Sequence, residues 1–175
     1  MKNYFYLMMT FTLSLIGCGN GKQKMQDDIA SAEKKLSNDK AMAPDPQKAA
    51  EVIHLYVAYA DKYPDDSTSA EYLFRAAEMT NAIHQPAKAI QLLERVIHFQ
   101  TYSKTPVALF LQGFISENDL HDIVKAKDYY EKFLKQYPDH KLAKDVRLTV
   151  NNLGKSPEEL IKEFEAKAKE DSVVY

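Results

Sequence analysis

Glycine and cysteine are scarce in this chain of 175 residues, and each shortage excludes a kind of chemistry. Of five glycines, Gly17, Gly19 and Gly21 stand near the N-terminus, which leaves Gly113 and Gly154 for everything after. A phosphate-cradling loop needs several glycines close together, so a Walker loop or a dinucleotide fingerprint is excluded. Strand signals are lacking too. Past Gly21 there is no Asn-Gly or Asp-Gly hairpin turn, and apolar and polar residues do not alternate over any sustained stretch. Cys18 is the only cysteine, so no disulfide can close within the chain. Charge of one sign is not in excess: 23 basic residues face 25 acidic ones, a balance that suits neither nucleic acid nor a polybasic membrane patch.

The groups usually recruited for catalysis are present but dispersed. His54, His84, His98, His121 and His140 include no pair at the i, i+4 spacing of a helical zinc site. The paired carboxylates Asp27-Asp28, Asp65-Asp66 and Glu158-Glu159 read as helix starts, where acids favour the macrodipole, rather than as acid–base pairs. No serine has a base partner that the sequence reveals. We therefore expect no enzyme, no metal and no cofactor.

What is there begins with the N-terminus. Lys2 precedes an apolar run from Tyr4 to Ile16, interrupted by Thr10, Thr12 and Ser14. The layout is that of a secretory signal peptide, too short for a spanning helix. The run Leu15-Ile16-Gly17-Cys18 resembles the bacterial lipobox, where small residues admit a membrane peptidase and the thiol takes the lipid. The competing readings are an ordinary signal peptide with an incidental cysteine, or a buried core cysteine. The resemblance implies a lipoprotein signal peptide over 1–17, and a lipidated Cys18 with a flexible tether over 18–26. It also implies membrane attachment through that lipid in the bacterial envelope. Gly19, rather than Asp, after the cysteine favours the outer membrane, facing the periplasm. With Lys2 removed, 22 of the 23 basic residues remain against 25 acids.

From there the pattern is helical. Met25, Ile29, Ala32 and Leu36 step by four, three and four along one face. Asp45-Pro46, Thr105-Pro106 and Ser156-Pro157 read as cap-plus-proline helix starts, and Thr68 with Glu71 and Ser156 with Glu159 as capping boxes. Tyr63-Pro64-Asp65-Asp66 and Tyr137-Pro138-Asp139-His140 read as stops, 74 residues apart from proline to proline. Aligning the helices gives a column of Val52, Ala89, Ala126 and Leu160. A second holds Tyr56, Leu93, Tyr130 and Phe164, and a third Tyr59, Val96, Phe133 and Lys167. The expected organisation is a leading helix pair over 27–66, repeats over 67–170 and a tail over 171–175.

These repeats resemble the tetratricopeptide repeat (TPR). Small residues stand where that family's paired helices pack closely, at Ala77 and Gly113 and again at Ala89 and Ala126. Its proline matches Pro64 and Pro138, and its second-helix aromatic matches Tyr56 and Tyr130. Long repeats ending in Tyr-Pro-Asp are similar to those of envelope proteins of the BamD and CpoB kind. Departures exist: Leu73 and Phe110 replace the family tryptophan, and a proline near Thr101 is absent. The resemblance implies an all-α, TPR-like α-solenoid of antiparallel helix pairs. It also implies a protein- or peptide-binding scaffold for an envelope partner, in outer-membrane or cell-wall assembly or organisation. A BamD-like assembly component, and a periplasmic enzyme or ligand carrier, are the alternatives. The family's peptide-contacting positions fall on Glu71, Phe74, Glu78, Asn81 and Ala82, then Val107, Phe110, Phe114, Glu117 and Asn118. Phe74, Phe110 and Phe114 would form an apolar strip, with Glu78 and Glu117 beside it and Asn81 and Asn118 able to bond a peptide backbone.

Overall fold

The computed structural model describes residues 16–38 and 45–172. Among them are eight helices and no strand. They fall into two compact units, 1–85 and 86–175.

The first unit holds α1 (Ile16–Ser37), α2 (Pro46–Lys62) and α3 (Ser67–Ala82), with α2 packed against both neighbours. Short connections make consecutive helices antiparallel neighbours. On α1 the apolar stripe faces inward, with Ile29 and Ala32 buried. Asp45 caps α2, its carboxylate accepting from the backbone N–H of Gln47 at 2.8 Å and Lys48 at 3.1 Å, and Pro46 fills the first helical position. The Tyr-Pro stop is as expected: Tyr63 closes α2 by donating its N–H to the Tyr59 carbonyl. Val52, Tyr56 and Tyr59, the three aligned positions of α2, are all buried.

Three expectations fail in this unit. Residues 18–26, read as a tether, are helical and continuous with α1. Their side chains explain why: Lys22 pairs with Asp66, and Gln26 donates to the Tyr59 hydroxyl at 3.4 Å. Asp27 and Asp28 therefore lie mid-helix, bonded to Gln23 and Lys24 one turn earlier. The cap of α3 is Asp66, accepting from Thr68 N–H at 2.9 Å, so Thr68 sits inside the first turn and does not open a capping box.

The second unit holds α4 (Pro86–Ile97), α5 (Thr105–Asn118), α6 (Ile123–Gln136), α7 (Ala143–Asn152) and α8 (Pro157–Ser172). α5 packs against α4 and α6, and α6 against α7. Its core gathers Leu109, Ala126, Tyr130, Phe133, Ala143 and Val146. Ala89, Leu93 and Val96 bury the matching face of α4. Gln112, fully buried, donates to the Ile90 carbonyl and to Glu94, joining α5 to α4. The Ser156–Glu159 capping box forms in both directions, at 2.8 and 3.2 Å. Thr105 does not cap α5. It is buried and donates to the Phe99 carbonyl at 2.7 Å, pinning the preceding loop. Asp122 caps α6 by accepting from Lys125 N–H.

Two histidines occupy left-handed backbone conformations: His84 at φ 59° and His121 at φ 54°. Each follows the end of the first helix of a repeat, where glycine is the usual solution. At the first, Gln85 N–H reaches back to the Thr80 carbonyl and His84 N–H to that of Asn81, so the reversed helix end keeps its hydrogen bonds.

Candidate aromatic binding surface

Phe110 and Phe114 stand one turn apart on α5, so they share a face. Their ring centroids are 6.1 Å apart. Phe110 is half-buried, 5.9 Å from the Tyr130 ring and 6.5 Å from Phe133. Phe114 is 44% exposed. The pair is thus anchored at one end in the core and open at the other.

Gly113 explains how Tyr130 reaches this position. A Cβ on Gly113 would lie 2.6 Å from two carbons of the Tyr130 ring, so only glycine lets α6 bring the ring against α5. The buried phenol then donates to the Glu117 carboxylate at 2.8 Å. Burial pushes the Tyr130 hydroxyl well above the usual tyrosine range, and the bond to Glu117 adds to it. Glu117 remains half-buried beside the rings. Asn118 is exposed, but its amide donates to the Phe114 carbonyl of its own helix at 2.9 Å. Val107 is half-buried.

On α3 the expected strip does not form. Phe74 is 3% exposed and belongs to the core with Ala70, Leu73, Ala76 and Ala77. α3 buries residues on both sides of its inner stripe, so a ring at position 74 has no route to solvent. Glu71 and Asn81 are half-buried, and Glu78 and Ala82 are exposed. The ten candidate positions divide five to each unit, and the exposed aromatic surface reduces to Phe114 with Phe110 beneath it.

The first unit offers a different feature. A cleft of about 500 Å³ is lined by Ala30, Glu33, Lys34, Leu36, Ser37, Tyr56, Arg75 and Met79. Tyr56 donates to Glu33 at 2.5 Å, Arg75 pairs with Glu33 at 2.8 Å, and the guanidinium lies 5.2 Å from the Tyr56 ring centre. Tyr72 stacks on Tyr56 at 5.1 Å, and Tyr59 meets Tyr72 edge-on. Burial, then the Glu33 bond, raises the Tyr56 hydroxyl far above its ordinary range. Neither Glu33 nor Arg75 is marked out by the sequence. Tyr56 was visible in the repeat column, but no local spacing links a glutamate on α1 with an arginine on α3.

The all-α hairpins, with small residues at the close approaches and Tyr-Pro stops, define a helix-repeat protein of TPR-like architecture. The tetratricopeptide repeat family model matches residues 107–140, which span nearly all of α5, the whole of α6 and the second Tyr-Pro-Asp turn. Repeats of this family serve generally as scaffolds for protein–protein interaction, and a protein partner follows in that general sense. A comparison with curated proteins finds no match.

Proposed function

We propose that this chain is a lipid-anchored protein of the bacterial envelope. Its TPR-like repeats would hold a protein or peptide partner in outer-membrane or cell-wall assembly or organisation. The binding half of this reading is carried by one observation: Phe114 stands exposed on the first helix of the matched repeat, continuous with the half-buried Phe110. Exposed aromatics with a rigid base are the usual anchors of such interfaces. The anchoring half is supported by the lipobox-like Leu15-Ile16-Gly17-Cys18 alone. Residues 1–15 and the Cys18 side chain lie outside what the structure describes. No described helix is long and apolar enough to cross a membrane.

The test joins both halves. Crosslinked pull-down from membranes should recover a protein with the wild type and recover less with Phe114→Ala, whose loss leaves the core intact. Cys18→Ala should take up no labelled fatty acid and leave the membrane fraction. Equal recovery with Phe114→Ala, or no fatty acid on the wild type, would refute the corresponding half. A ligand carrier is the second reading, favoured by the cleft around Tyr56 and Arg75. A small molecule retained by the purified chain would favour it over the scaffold.

A further inference from the structure

The two units build the same arrangement twice, and complete it once. In the first, the buried Tyr56 donates to Glu33, and Arg75 finishes the set by pairing with that carboxylate while lying over the tyrosine ring. In the second, the buried Tyr130 donates to Glu117, and Phe110 and Phe114 extend the aromatic face. No cation pairs with Glu117 among the described residues. Arg75 stands eleven residues after Pro64, and the residue eleven after Pro138 is Thr149, whose hydroxyl bonds the Asp145 carbonyl of its own helix. At the repeat position of Arg75 the second unit thus carries a neutral side chain.

We propose that the cation missing at Glu117 is supplied by the partner, as an arginine side chain of a basic segment seated on Phe114 and Phe110. The choice of occupant follows from charge and shape. A half-buried carboxylate beside aromatic faces suits a guanidinium, which can bond the acid edge-on and stack on a ring. An acidic segment would meet the like charge of Glu117. A wholly apolar segment would cover the carboxylate and leave it without a counterion, which is costly. This inference rests on the scaffold reading and names the chemistry of its partner.

Nuclear magnetic resonance titration of the ¹⁵N-labelled full-length chain in detergent tests it. The probes are acetyl-Ala-Arg-Ala-amide, its citrulline isostere, which keeps the shape without the charge, and acetyl-Ala-Glu-Ala-amide. The arginine peptide should shift the amides of Phe114 and Glu117, and the other two should not. Glu117→Gln keeps an acceptor for Tyr130 and so should keep the fold, yet it should weaken arginine binding by roughly tenfold. Phe114→Ala should weaken it as well. The inference is overturned if citrulline shifts the same residues equally, or if Glu117→Gln binds as the wild type does. It is also overturned if the shifts arise on dilution of the chain without peptide, which would make a second copy the occupant. A protein captured from membranes whose recovery is insensitive to Glu117→Gln would sink this inference and leave the scaffold reading standing.

Discussion

Replacing Gly113 by alanine adds one methyl group, and the structure decides what that methyl costs. It would sit 2.6 Å from Cδ1 and Cε1 of Tyr130 and 3.1 Å from Cγ, where carbon atoms prefer about 3.5–4.0 Å. The ring must therefore retreat by about 1 Å. Retreat is opposed on three sides. Tyr130 is 1% exposed, its hydroxyl is held by Glu117 at 2.8 Å, and its ring packs on Phe110 at 5.9 Å. Overpacking of this kind costs about 1–3 kcal/mol, and the fixed ring puts this site near the upper end. Alanine returns about 1 kcal/mol by its better helix propensity. The expected net loss is about 2 kcal/mol. Urea denaturation followed by circular dichroism should show a lower midpoint, by about 1 M for a slope of about 2 kcal/mol per M. Gly113→Ala combined with Tyr130→Leu should lose less than the two single changes added together, because the clash is then gone. If Gly113→Ala matches or exceeds the wild type, Tyr130 is not held as described and the close approach of α5 and α6 is not a constraint.

Other perturbations test separate features. His84→Gly and His121→Gly should each raise the melting temperature, since a left-handed residue with a Cβ costs about 1–2 kcal/mol and glycine's extra entropy offsets only part of the relief. Ser156→Ala removes half of the α8 capping box and should lower stability by about 1 kcal/mol, read as faster hydrogen exchange in the first turn after Pro157. The Lys22 ammonium that donates to Asp66 holds its carboxyl well below the usual carboxylate range. Because the folded value is the lower one, this pair stabilises above about pH 4 and the benefit fades as the pH falls further. Asp66→Asn keeps the cap of α3 but not the charge, so the drop in stability between pH 5 and pH 2 should be smaller in the variant than in the wild type.

The fold was legible where local rules suffice. Proline starts, Tyr-Pro stops and the Ser156–Glu159 box follow from spacing within a few residues, and the buried column through Val52, Ala89 and Ala126 follows from the internal repeat. The largest errors come from partners distant in sequence. Lys22 and Gln26 make a polar, glycine-bearing stretch helical by bonding Asp66 and Tyr59, which no periodicity along α1 reveals. Asp66 displaces Thr68 as the cap because two acceptors stand two residues apart and the sequence does not choose between them. At the candidate site, Phe110 and Phe114 were visible as an i, i+4 pair, but burial separates them from Phe74. Equivalent positions differ in burial from one repeat to the other, Phe74 being buried where Phe110 is half-buried. The Glu33–Arg75 pair joins helices two apart and could be found only in three dimensions.

The helical course of α1 alters the mechanics of attachment. A disordered leash lets a domain swing through tens of ångströms and meet partners at any angle. Here the backbone is already helical at residue 18, and the side chain of Lys22 is bonded to the base of α3. Four helical residues span only about 6 Å. A lipid on Cys18 would then act as a bracket, setting the first unit hard against the headgroups with little freedom to tilt. Partners would have to approach along the membrane surface, and inserting a few glycines after Cys18 would change reach and orientation without touching either unit's core.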